Sequence, residues 1–228
     1  MLVAAQTDDK QLTQRVMQDA MDLGATFVAE AEFKSALCSD KHCDVMYHHQ
    51  GKNQTVSAKL MVNCAGPWVN AVLKKIAPLP TQRDIDLVLG THIVVPGTLQ
   101  QGMYYLEAPQ DRRAVFVMPW HGNILIGTTE SPAIAPDNPL PPNSDIDYLL
   151  RVYNHYFNRP LQRSDIIESF AGLRVLPASE GAAFSLPRDT LIHFDTSIQP
   201  RVFSLYGGKL TAHRATALQL LRVIKPYL

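Results

Sequence analysis

Gly207 and Gly208 stand where the apolar run RVFSLY gives way to a helix-prone segment, and Lys209 follows them directly. Paired glycines let backbone approach a ligand closely, and the first turn of the following helix offers unpaired N–H groups to electron-rich oxygen. Lys209 adds a movable positive charge at the same point. The same residues also fit an ordinary strand-to-helix turn, so spacing alone leaves both readings open. NCAGPW at residues 63–68 repeats the logic, with small residues between a strand and a helix started by Pro67. Arg174 follows Gly172 near the end of a strand, and Arg188 sits in LPRD. A planar guanidinium suits phosphate or carboxylate, although each arginine taken singly also fits a surface ion pair. His92 falls inside the apolar run LGTHIVVPG. There it is either a hydrogen-bonded core residue or, beside a pocket, a general base.

Cys38 and Cys43 lie near His42, His48 and His49. Their spacing matches no common zinc pattern, and strand alternation sends neighbours to opposite faces, so no metal is expected. The total of three cysteines is odd, which fits free thiols in a reducing compartment better than a disulfide framework.

Blocks of strands separated by single helices must position these residues. Helical spacing over residues 8–23 places Leu12, Val16, Met17, Ala20, Met21 and Leu23 together, with Thr7 or Asp8 as cap and Gly24 as stop. ATFVAEA reads as a strand. KSALCSD, CDVMYHHQ and TVSAKLMVN read as a three-stranded meander, and a helix follows from Pro67. Residues 84–129 are β-rich, and SPAIAPDNPLPPNSD is a proline-rich connector. Ser144 or Asp145 caps a helix whose Ile146, Leu149, Leu150, Tyr153 and Phe157 share one face. Strands at DIIESFAGLRVL, DTLIHFDT and RVFSLYG lead to the closing helix KLTAHRATALQLLRVIK. The expected class is α+β with a mostly antiparallel sheet, not a doubly wound fold.

Composition narrows the function. Lys plus Arg equals Asp plus Glu, 21 against 21, so no global field recruits nucleic acid. No apolar stretch reaches the length of about 18 residues that spans a bilayer, and MLVAAQTDDKQ lacks the basic and apolar regions of a signal peptide. The expected location is cytoplasmic.

NCAGPW, GTHIVVPG, VFVMPWHGNILIGTTE, FAGLRVLP, PRD and YGGKLTAHR occur in the order found in flavin-linked glycerol-3-phosphate dehydrogenases, which the chain resembles from about its first helix onward. That family belongs to the wider class related to D-amino-acid oxidase. The resemblance implies a partial FAD-binding, glutathione-reductase-like domain over residues 1–80 and a substrate-binding antiparallel sheet over 81–203. Residues 204–228 then return to the FAD domain. It implies that Ala65, Gly66, Pro67 and Trp68 lie against the ribityl and diphosphate of FAD. Gly207, Gly208, Lys209, Leu210 and Thr211 wrap the pyrimidine end of the flavin ring. Arg174, Arg188 and Lys209 hold the substrate, and His92 stands near the reacting carbon. The implied reaction is oxidation of sn-glycerol 3-phosphate to dihydroxyacetone phosphate, with quinone as electron acceptor and peripheral association with the inner face of the cytoplasmic membrane. An amino or 2-hydroxy acid substrate and a non-catalytic remnant are the alternatives.

The sequence departs from the family in three places. It holds no G-x-G-x-x-G, so the dinucleotide fingerprint is missing, and the chain alone is expected to bind no FAD and to be inactive. Arg174–Val175–Leu176 stands where the family usually reads Arg-Pro-Leu, and GTTE replaces the commoner Gly-Thr-Thr-Asp.

Overall fold

The computed structural model describes residues 6–177, 190–196 and 198–228. Helix α1 spans Asp9–Asp22, and the Asp8 carboxylate accepts the Gln11 N–H at 2.9 Å, the expected cap. Gly24 takes φ +97° just beyond its end. The segment ATFVAEA is not a strand, contrary to its composition. Its residues are exposed and no ladder pairs them, and apolar side chains without a partner backbone do not make a strand.

Strands β1 (Glu32–Cys38), β2 (Cys43–His49) and β3 (Lys52–Ala58) form an antiparallel meander. The third expected strand breaks in two. β3 ends at Ala58, and β4 (Met61–Asn63) joins a different sheet. Arg201 captures the backbone at the break, donating to Lys59 O and accepting from Met61 N–H. Cys38 and Cys43 face each other directly across the β1–β2 hairpin and are joined as a disulfide, which corrects the expectation of free thiols. Cys64 is a free thiol. Among the described residues no His, Cys, Asp and Glu cluster is arranged to hold a metal.

A 3₁₀ turn at Gly66–Trp68 leads into the short helix α2 (Val69–Leu73), and β5 (Ile76–Ala77) runs parallel to β1. Ala36, Cys43, Val69, Leu73, Ile76, Val202 and Tyr206 close a small core there.

The larger sheet is built on the long strand β6 (Ile85–Val95). β7 (Tyr104–Glu107), β8 (Ala114–Trp120) and β9 (Asn123–Gly127) follow as antiparallel hairpins. The proline-rich connector is not wholly a loop, because its β10 (Ser131–Ala133) pairs with β6 at Leu87–Leu89. Helix α3 (Asn143–Tyr156) packs on one face, and β11 (Glu168–Pro177) flanks β6 along ten residue pairs. Ser144 and Asp145 do not cap α3. Asp145 lies within its first turn and is buried beneath the sheet.

Directly opposed residues of antiparallel strands share a face. One face of this sheet carries Ile93, Val95, Val117, Ile124 and Ile126, which pack with Leu149, Val152 and Tyr153 of α3 as the main core. The other face carries Phe116, Gly127, His92 and Phe170 in one row, Gly90 and Gly172 in the next, then Arg174. β12 (Leu191–Phe194) and β13 (Val202–Tyr206) complete a third sheet in which β13 runs parallel to β4, and α4 (His213–Ile224) follows. The architecture is α+β and mostly antiparallel, as its sequence pattern indicates. No helix among the described residues is long and apolar enough to cross a membrane.

Candidate active site

β4 and β13 are parallel neighbours, so their carboxyl ends open side by side, and that edge of a sheet is where ligands lodge in α/β proteins. The AGPW turn leaves one end and the GGK turn leaves the other. Gly66, Pro67, Gly207, Gly208, Lys209 and Leu210 line a common cavity of about 520 Å³, and Arg174 stands on its wall. A second cavity of about 400 Å³ lies against the same glycines and adds Cys64, Thr190, His213 and Thr216.

The turns are held from behind. Asn63 is buried, its amide donating to Val69 O at 3.0 Å while its carbonyl accepts Ala65 N–H at 3.2 Å. Gly207 and Gly208 take φ +71° and +95°, and a Cβ on Gly208 would meet Thr190 Oγ1 at 2.6 Å. Both positions therefore need glycine. Ala65, Trp68 and Thr211 belong to the same turns but line neither cavity. Trp68 instead donates its indole N–H to Asp137 at 2.9 Å.

Arg174 is not a free cation. Its Nη1 pairs with Glu130 Oε1 at 2.8 Å, and Nη2 donates to Thr128 Oγ1 at 3.4 Å. The guanidinium passes over Gly90, where a Cβ would lie 3.3 Å from Nη2. Lys209 is exposed at the cavity rim.

His92 lines an adjoining, mainly apolar cavity of about 380 Å³ with Met103, Phe116, Met118, Leu125 and Phe170. Its ring stacks on Phe170 with centroids 5.2 Å apart, and it occupies the space that a Cβ on Gly127 would fill. Burial, and secondarily the positive charge of Arg174, lower its pKa to about 4, with Asp9 opposing. The imidazole is therefore neutral at neutral pH. Its Nδ1 is buried without a hydrogen-bond partner among the described residues. A neutral ring accepts a hydrogen bond from a substrate hydroxyl, but it is a weak base until something anionic beside it restores its basicity.

The structure thus gathers Gly66, Pro67, Arg174, Gly207, Gly208, Lys209 and Leu210 at one cavity, with His92 in the next. Asp9 at the start of α1 lines both. Arg188 lies outside the described residues. Sequence reasoning missed Asp9, Glu130 and Phe170. Only the register of β11 on β6 puts Phe170 beside His92, and only the path of the chain after β9 puts Glu130 on Arg174.

Residues 3–217 match the family model described as DAO, FAD dependent oxidoreductase. The chain belongs to this family. It is 32% identical over 220 residues to D-erythritol 1-phosphate dehydrogenase of Brucella abortus, covering 92% of this chain and 43% of that protein. It is 36% identical over 181 residues to aerobic glycerol-3-phosphate dehydrogenase of Escherichia coli, covering 78% of this chain and 36% of that one. The X-ray structure of glycerol-3-phosphate dehydrogenase from Bacillus halodurans complexed with FAD superposes with a TM-score of 0.83 at 28% identity. That superposition takes in 96% of this chain and 43% of the other. The chain therefore spans about two-fifths of the length of these relatives.

Proposed function

We propose that this chain carries the substrate face and two flavin-facing turns of an FAD-dependent dehydrogenase that oxidises sn-glycerol 3-phosphate to dihydroxyacetone phosphate. The observation that carries the reading is the meeting of Arg174, Lys209 and the two glycine turns at one cavity, with His92 beside it. The names of the relatives, glycerol-3-phosphate dehydrogenases and a D-erythritol 1-phosphate dehydrogenase, point the same way.

The turns fit such a cofactor. Gly66, Gly207 and Gly208 have no side chain to obstruct its approach. On the resemblance, the turns Ala65–Trp68 and Gly207–Thr211 would hold it. When bound, FAD supplies a two-electron acceptor for the hydride leaving C2 of the substrate. Arg174 and Lys209 bind the phosphate, Arg174 as a fixed fork and Lys209 as a movable charge. His92 accepts the hydroxyl hydrogen bond and then the proton, its basicity raised by the incoming dianion. Phe116, Met118, Leu125 and Phe170 keep water from the reacting carbon. We assign quinone as the final acceptor and a peripheral membrane location on the resemblance alone.

A longer polyol phosphate is a second reading, raised by the 32% identity over 220 residues to the D-erythritol 1-phosphate dehydrogenase. Calorimetric titration of the polypeptide tests the phosphate-site reading. The Kd for sn-glycerol 3-phosphate is expected to be tighter than that for glycerol by about tenfold or more, the worth of one charge-assisted bond. Equal affinities for the two, or preference for an amino or 2-hydroxy acid, would contradict the reading. D-Erythritol 1-phosphate as a third ligand separates the two phosphates.

A further inference from the structure

The segment that follows β9 is fastened from both sides. On the α3 face, the buried carboxylate of Asp145 accepts three hydroxyl hydrogen bonds. Thr91 and Thr129 donate to Oδ2 at 2.8 and 2.6 Å, and Ser131 donates to Oδ1 at 2.8 Å. Thr129 Oγ1 in turn accepts Thr91 N–H at 3.0 Å, which ties this segment to β6 next to His92. Arg113 holds the intervening residue by its backbone, Nη1 donating to Glu130 O at 2.8 Å. Thr129 and Ser131 thus face α3, while Thr128 and Glu130 face the other way, where both meet Arg174. The Glu130 side chain is only 10% exposed and that of Arg174 32%.

We propose that Glu130 is a positioning residue: anchored through Thr129, Ser131 and Arg113, it fixes the aim of Arg174 toward the anionic group of the substrate. The proposal rests on the phosphate-site reading of Arg174. A carboxylate beside a phosphate-binding arginine weakens the attraction of that arginine for an anion. A site that required charge alone would be better without Glu130. The benefit must therefore come from geometry, because a guanidinium already held in place loses less side-chain freedom when the anion binds. The two roles predict opposite signs. If Glu130 positions Arg174, removing its charge weakens anion binding. If it merely neutralises Arg174, the same change tightens it.

The test is a titration of the polypeptide with sn-glycerol 3-phosphate, followed by ¹⁵N NMR on the Arg174 Nε–H group. Glu130→Gln is expected to speed hydrogen exchange at that group and to weaken binding about fivefold, the difference between a charge-assisted and a neutral hydrogen bond. Glu130→Asp keeps the charge and is expected to recover part of the loss. Arg113→Met frees the Glu130 backbone while leaving its carboxylate, and it should shift both readouts the same way by a smaller amount. It also serves as the second variant if Glu130→Gln impairs folding. Equal or tighter binding in Glu130→Gln, or an unchanged Arg174 signal, would overturn the proposal. If exchange at Arg174 accelerates while the unsubstituted chain binds no sn-glycerol 3-phosphate, positioning stands and the substrate reading is what fails.

Discussion

Gly127→Ala probes the packing of the His92 ring without removing any polar group. A Cβ at this position would collide with the ring, reaching Cγ at 2.7 Å and Nε2 at 2.8 Å. The colliding atoms belong to a rigid ring that is itself stacked on Phe170, so the neighbour has little room to yield. Overpacking of this kind costs about 1–3 kcal/mol, and loss of the aromatic stack adds about 0.5–1.5 kcal/mol. A total near 2–3 kcal/mol is expected from urea denaturation, since the backbone can relieve part of the clash. A ring forced out of its pocket also regains water, so its pKa should climb from about 4 back toward 6.5. Proton NMR of the His92 Cε1–H signal against pH reads that change directly. Gly172→Ala is the control, because a Cβ there meets nothing within 4 Å. If Gly127→Ala unfolds within about 0.5 kcal/mol of the unsubstituted chain and leaves the His92 titration where it was, the described packing is wrong.

The remaining predictions concern charge and cofactor. The unfolded chain protonates His92 near 6.5 and the folded chain only near 4, so the unfolded state binds more protons between those values. Stability from this residue is therefore complete above about pH 6.5 and declines as pH falls toward 4, by at most about 3 kcal/mol. His92→Gln should flatten that acid limb in parallel denaturation curves, and an unchanged limb would show that other groups cause it. Lys209→Met should weaken sn-glycerol 3-phosphate binding about tenfold or more without moving Tm, because Lys209 is exposed. Arg174→Leu should weaken binding similarly and also lower Tm, because Glu130 loses a charged partner, and calorimetry with thermal melts separates the two. The 228-residue polypeptide purified alone should be colourless, because its sequence has no G-x-G-x-x-G to cradle the FAD diphosphate. Stoichiometric flavin absorbance would show that the AGPW and GGK turns suffice.

The local parts of the site were legible in the sequence because their physics is local. A glycine pair at a strand-to-helix junction and a Pro-started turn announce themselves within a few residues, as does the Asp8 cap. What could not be read depends on pairings between distant segments. TVSAKLMVN looks like one strand until Arg201, 142 positions from Lys59, takes hold of its backbone. ATFVAEA has strand composition but no neighbouring edge to pair with. Asp145 sits where a helix cap is expected, yet three hydroxyls from β6 and the segment after β9 draw it under the sheet. The roles of His92 and Arg174 were ambiguous for the same reason. Phe170, Gly127, Thr128 and Glu130, brought in by sheet register and by the turn after β9, are distant in sequence from the residues they surround.

The central claim is that Arg174, Lys209 and His92 surround one anion-binding substrate site. A ¹⁵N NMR titration of the polypeptide with sn-glycerol 3-phosphate tests it most directly, with glycerol as the uncharged control. The predicted result is a single footprint, with shifts at Gly207, Gly208, Lys209, the Arg174 Nε–H and the His92 ring, and the His92 pKa rising as the dianion binds. A footprint confined to the β1–β3 meander, or shifts at Lys209 with none at Arg174 and His92, would contradict it.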